Sequence, residues 1–158
     1  MSKAVLISIK PRWCEKIANR EKIIEVRKIR PKIDTPFKCY VYCTEPNTKN
    51  PWKLLEIHSS DGKIHKGNGK VIGEFICDEI YNLWAGYTGD VGDDCMTYDE
   101  FEQYLDGKMG YGWHISDLKI YDEPKELSEF GLKRPPQSWC YVEKLRSHRR
   151  VLRYELLP

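Results

Sequence analysis

Arg20-Glu21-Lys22-Ile23-Ile24-Glu25-Val26-Arg27-Lys28 is the stretch from which the rest of the chain is read. Its composition predicts a β-strand entered directly from a short helix. Side chains on a strand alternate between faces. Ile24 and Val26 are therefore expected to enter a core, with Glu25 and Arg27 on the opposite, charged face and Lys22 at the mouth of the strand. As exposed charges, the three would contribute little to stability. Such a face has two uses. It is either a solvated strand surface with weak ion pairs, or a place where an acid and a base two residues apart meet a ligand.

Upstream, Ala4 to Ile9 reads as a buried strand. Pro11 suits the first turn of a helix, where its missing N–H costs nothing. Trp13, Cys14, Ile17 and Ala18 share one face of that helix, which spans about Pro11 to Asn19. Downstream, Lys38 to Thr44 is a third strand, with Cys39, Val41 and Cys43 on one face and Tyr40 and Tyr42 on the other. The segment 46–69 reads as a peripheral insertion. Leu54 to His58 and Lys63 to Lys66 flank the hairpin turn Ser59-Ser60-Asp61-Gly62. Lys70 to Tyr81 is a long strand, and Gly73 within it signals a bulge or a close backbone approach. Gly86 to Asp94 reads as a flexible acidic loop. Thr97 with Glu100 three residues later forms a capping box for a helix over Tyr98 to Leu105, ending at Gly107. Trp113 to Asp122 and Ser138 to Val142 are further strands, the latter behind the stiff Pro135-Pro136. The tail from Ser147 alternates as a strand does. Five or six strands in a run, with two short helices, predict a strand-dominated α+β chain closed as a β-barrel.

The bulk numbers bound the function classes. At 158 residues the chain is expected to form one domain, 1–158, with a real core. Charged residues at 32% and aromatics at 12% fit a folded protein rather than a disordered one. The net charge of +2 does not announce a nucleic-acid binder. Its distribution says more. Arg20, Lys22, Arg27, Lys28, Arg30 and Lys32 form one basic cluster, and Lys144, Arg146, His148, Arg149, Arg150 and Arg153 a second. Between them lies an acidic stretch from Asp90 to Asp106. Ala4-Val5-Leu6-Ile7 is too short for a signal peptide, and no segment is long enough to span a membrane, so a cytoplasmic location is expected. The six cysteines lack paired ligand spacing. They are expected to be free thiols, several of them inward-facing, with no structural metal and no cofactor.

With these elements in place the sequence resembles the ASCH-domain family of the PUA-like superfamily. The early signature of that family is Gly-x-Lys-x-x-Glu-x-Arg. Lys22, Glu25 and Arg27 match it, and Arg20 stands in place of the glycine. Ser8-Ile9-Lys10-Pro11, Gly73-Glu74-Phe75, Trp113-His114-Ile115-Ser116-Asp117-Leu118 and Pro136-Gln137-Ser138-Trp139-Cys140-Tyr141 are further family-like pieces, the last two similar to small phage and bacterial ASCH proteins. The resemblance implies a PUA-like pseudo-barrel with short flanking helices and a charged cleft beside the first helix. It also implies RNA or a nucleotide-like molecule as partner. Some relatives are amidohydrolases of acetylated cytidine and others ribonucleases. In the amidohydrolase branch the motif lysine is catalytic, which corresponds to Lys22. That branch carries threonine where this chain has Glu25, and Asp94 is a loose counterpart of its second carboxylate.

Three classes of function stay open: a binding module for RNA or nucleotides, a small hydrolase or nuclease, and a protein-contacting adaptor. The candidate catalytic residues are Lys22, Glu25 and Asp94. Lys10, Lys22, Arg27, Trp113, His114, Gln137, Ser138 and Trp139 are the candidate ligand-binding residues. Arginine suits a bidentate grip on phosphate and lysine offers a point charge. Tyr111, Trp113 and Trp139 are candidates for stacking on a base, and His114 for proton transfer. Each has a plainer use, as core aromatic, hydrogen-bonding histidine or salt-bridged strut. Glu25 beside Lys22 favours binding over amine chemistry. A serine nucleophile motif, a Walker loop and a metal constellation are absent from the sequence.

Overall fold

The computed structural model describes residues 3–45, 54–84 and 93–146. The expected acidic loop falls largely outside them, as does the tail from Ser147. In chain order the elements are β1 (Lys3–Ile9), α1 (Pro11–Ala18), β2 (Ile24–Arg27), β3 (Phe37–Cys43), β4 (Glu56–His58), β5 (Ile64–Lys66), β6 (Lys70–Leu83), α2 (Tyr98–Leu105), β7 (Gly110–Lys125) and β8 (Trp139–Glu143). A 3₁₀ turn at Leu127–Phe130 separates the last two strands. Six strands form one mixed sheet in the order β2-β7-β6-β3-β1-β8, and β4 pairs with β5 in a separate hairpin. Only β1 and β3 run parallel within the six. This is the strand-dominated α+β architecture the sequence predicts.

β1 lies between β3 and β8 and is buried on both faces, which is why Ala4 to Ile9 reads as an apolar run broken by Ser8 alone. Val5, Ile7 and Ile9 enter the main core with Cys39, Val41, Cys43, Phe75, Cys77 and Trp113. Ala4 and Leu6 enter a second cluster with Tyr40, Tyr42, Tyr121 and Phe130. The alternation expected of β3 is thus realised. The hairpin turn also forms, and Leu55 and Ile57 carry the hairpin segment into the main core. At Gly73 the β3 register shifts nearby, and a Cβ there would lie 2.4 Å from the Lys119 carbonyl. That is the close backbone approach the glycine signals.

Both helices form as their end signals require. Pro11 occupies the first turn of α1, and Cys14 and Ile17 are its buried face. Its C-terminus closes with Arg20 N–H bonded to the Ile17 carbonyl and Glu21 N–H bonded to the Lys16 carbonyl. This is a Schellman closure, and it needs a left-handed residue just past the cap. Arg20 fills that position at φ 64°, where the family signature has glycine. α2 begins with the Thr97–Glu100 capping box and ends with left-handed Asp106 and Gly107.

β2 keeps the expected alternation, but its charged face also turns inward. Glu25 pairs in register with Trp113 and Arg27 with Tyr111, and directly opposed residues share a face. Trp113 is fully buried in the main core, so Glu25 and Arg27 are on the barrel-facing side. Ile24 and Val26 take the other face, where Leu83, Phe101 and Leu105 cover them. The cause is α2, which supplies an apolar lid to the side that alternation alone would assign to either the core or solvent.

Candidate functional site

β2 and β8 are the two edges of the six-stranded sheet. Side-chain and backbone bonds, rather than a ladder, join them. Arg27 Nη1 donates to Ser138 Oγ at 3.2 Å, and Arg27 Nη2 to the Ser8 carbonyl at 2.7 Å. Trp139 Nε1 donates to the Ile29 carbonyl at 3.2 Å, and Lys32 N–H to Tyr141 Oη at 2.8 Å. Ser8 holds the β8 approach in place: its N–H bonds the Ser138 carbonyl and its hydroxyl the Pro136 carbonyl. The motif residues lie along this seam.

Lys22 is only 2% exposed and Glu25 only 4%, which corrects the expectation of exposed charges. The reason is the inward face of β2 together with the segment ahead of α2. Lys22 Nζ donates to the Asp94 carbonyl at 2.6 Å and lies 3.3 Å from Glu25 Oε1. The neighbouring Ile23 N–H bonds the Asp93 carbonyl, so that segment is tied to the strand mouth at two points. The ammonium also lies 4.9 Å from the centroid of the Trp13 ring, a favourable cation–π placement. Glu25 Oε2 accepts from Arg27 Nε at 2.9 Å and from Nη2 at 2.7 Å. Burial works to raise the Glu25 carboxyl. The charges of Arg27 and Lys22, with their hydrogen bonds, outweigh it and hold the group below its ordinary value. An ionised carboxylate is an acceptor only, so Glu25 serves here as an anchor for two cations.

Asp94 is buried as well, with Oδ1 accepting from Met96 N–H at 2.9 Å. Its carboxyl is raised, first by burial and also by Asp93 and Glu25, against the lowering effects of the Met96 hydrogen bond and Lys22. Contact with Lys22 is made by its backbone carbonyl. Trp113 lies in the interior beside this cluster, its ring edge-on to Trp139 at 6.1 Å and to Phe37 at 5.8 Å. Among the described residues its buried indole N–H has no hydrogen-bond partner.

The structure therefore joins Lys22, Glu25, Arg27, Asp94 and Ser138 in one chain of contacts, with Trp113 and Trp139 alongside. Gln137 is exposed next to Ser138, and Lys10 is the exposed N-cap residue of α1. His114 belongs elsewhere. It pairs with Ile24 on the outer face of β2, and its Nδ1 is 2.7 Å from Asp78 Oδ1. Sequence reasoning missed Ser8, Trp13 and the Asp94 carbonyl as parts of the site. Ser8 stands in a family-like stretch and Trp13 on the helix face, but a backbone acceptor leaves no mark in a sequence. Among the described residues no group of three His, Cys, Asp or Glu is placed to hold a metal ion, and no helix is long and apolar enough to cross a membrane.

No family model and no curated protein matches the sequence. Solved structures do match. ASCH from Zymomonas mobilis is 17% identical at a TM-score of 0.66, over 97% of this chain and 94% of that one. Two mutant proteins of the same ASCH are each 16% identical at a TM-score of 0.66, over 97% of this chain and 97% or 95% of theirs. The fold of this chain is the ASCH-domain fold.

Proposed function

We propose that this ASCH-type module binds single-stranded RNA or a nucleotide-like anion at the seam between β2 and β8. One observation carries the reading. Lys22 and Arg27 share the Glu25 carboxylate, and Lys22 also lies beside Asp94. Arg27 carries its positive charge toward the surface, its Nη1 at the exposed Ser138 hydroxyl. Glu25 fixes the guanidinium by its Nε edge, so little entropy is lost when an anion docks. Lys22 is a positioning residue in this reading. Its burial supports a role in holding the segment ahead of α2 rather than one of touching the ligand.

The test is fluorescence anisotropy with short single-stranded RNA at low and moderate salt. Ser138→Ala and Gln137→Ala sit on exposed positions and should weaken binding several-fold with unchanged melting. Arg27→Lys keeps the charge and loses the fork, and should weaken it further. If the wild type binds neither RNA nor nucleotides at low salt, the proposal fails.

A second reading, a hydrolase of modified nucleosides or RNA, draws on Asp94, a buried carboxyl shifted upward beside Lys22. Perturbed groups of this kind collect at active sites. Incubating the wild type and Asp94→Asn with acetylated cytidine or RNA, and separating the products, decides it. Turnover by the wild type that Asp94→Asn abolishes supports it.

A further inference from the structure

Immediately beyond Arg27 the chain forms an open groove of about 520 Å³, lined among others by Lys28, Arg30, Lys32, Ile33, Asp34 and Tyr111. Three observations set it apart from an ordinary solvated loop. First, it gathers three cations with no ion-pair partner. Among the described residues Lys28, Arg30 and Lys32 have no carboxylate within salt-bridge range, although Asp34 lines the same groove. Arg30 Nε donates to the Pro31 carbonyl at 3.4 Å, and Lys28 lies over the Tyr104 ring at 4.9 Å.

Second, the loop is held in shape from outside. Trp139 Nε1 and Tyr141 Oη bond its backbone at Ile29 and Lys32. The cations therefore project from a fixed backbone, which lowers the ordering cost of binding. Third, the groove is continuous with the seam. Tyr111, which lines it, is the register partner of Arg27. Its volume falls in the range of about 300–1,000 Å³ typical of small-ligand sites.

We infer that the groove is a second anion subsite, and that the ligand of this protein is a strand of single-stranded nucleic acid rather than a free nucleoside. This rests on the seam reading above and deepens it. One phosphate sits at Arg27 and Ser138. The next phosphates of the strand run over Lys28, Arg30 and Lys32, with Tyr111 offering a ring in the same groove. Cations beside an aromatic side chain are what a single strand requires of its track.

The experiment compares uridine monophosphate with uridylate oligomers of increasing length, on the wild type and on the triple variant Lys28→Ala, Arg30→Ala, Lys32→Ala. Wild-type affinity should rise with length by roughly tenfold or more before it levels off. The triple variant should match the wild type for the monophosphate and in melting temperature, and should lose the gain with length. Its salt dependence for the longer oligomers should fall by about 2 logarithmic units per decade of salt, at about 0.7 for each of three phosphate contacts. A triple variant that tracks the wild type at every length overturns the groove and leaves the seam standing. So does wild-type binding that is independent of length. Equal competition by an acidic peptide overturns the assignment to nucleic acid. Absence of any binding by the wild type overturns the seam reading, and this inference with it.

Discussion

Replacing Glu25 by glutamine keeps the shape of the buried cluster and removes its one negative charge. Glu25 Oε1 faces Lys22 and Oε2 faces Arg27. An amide offers only one acceptor oxygen, so one of the two cations must face an NH₂ group. Lys22, 2% exposed, would keep only the Asp94 carbonyl and the face of Trp13. Breaking a buried ion pair by removing one partner costs about 3–5 kcal/mol, against about 0–1 kcal/mol for an exposed pair. At this chain length each kcal/mol moves the melting temperature by about 2–4 °C, so a drop of about 6–20 °C is expected. A thermal melt followed by circular dichroism at neutral pH measures the drop, and urea denaturation the free-energy loss. Lys22→Met in the Glu25→Gln background removes the stranded cation and should recover part of the loss.

The pH dependence gives a second readout of the same substitution. The folded carboxyl lies below its ordinary value of 4.5. Its contribution is therefore fully present above the unfolded pKa and is lost as pH falls through the folded one. The glutamine variant should lose the part of the acid destabilisation that wild type shows below about pH 4.5. A loss under about 1 kcal/mol at neutral pH, with an unchanged acid profile, would refute the buried-anchor account.

Four further outcomes are expected. Arg20→Gly relieves a left-handed backbone at the end of α1 and should stabilise by about 1 kcal/mol, read as a rise of about 2–4 °C in a thermal melt. Asp94 has a raised folded pKa, so its contribution is present below the unfolded value and is lost as pH rises through the folded one. Asp94→Asn keeps the acceptor for Met96 and should be more stable than wild type at neutral pH, with the difference closing below pH 3.8 in a pH series of urea melts. Leu55→Ala should cost about 2–5 kcal/mol by urea denaturation, because Leu55 is buried in the main core rather than on the hairpin surface. Cys14, Cys39, Cys43 and Cys77 are buried, and burial foremost pushes the Cys77 thiol up to about 12. Alkylation of the native protein followed by mass spectrometry should leave these four unmodified, and denaturation should expose them.

Local signals were legible wherever a few neighbouring residues settle the matter. The Thr97–Glu100 capping box, Pro11 at the start of α1 and the alternation through Cys39, Val41 and Cys43 each specify structure within one turn or a few strand positions. β7 ran past its expected limits, from Gly110 to Lys125, because pairing with β6 continues at both ends. Glycine and proline there weaken the sequence signal but not the ladder around them.

The identity of the charged cluster was also written in the sequence, as Lys22, Glu25 and Arg27. Its setting was not. Alternation assigns Glu25 and Arg27 to one face and Ile24 and Val26 to the other, yet it does not say which face turns inward. That was decided by α2, whose Phe101 and Leu105 cover the apolar side, and by β7, whose Trp113 and Tyr111 share the charged side. The remaining partners come from far along the chain: Asp94 is 72 residues from Lys22, and Ser138 is 111 from Arg27. Charge and periodicity are properties of the local chain. Burial of a charge depends on which distant backbone groups the fold brings within hydrogen-bond reach: here the segment ahead of α2 supplied the acceptor of Lys22, and the meeting of the β2 and β8 edges supplied those of Arg27.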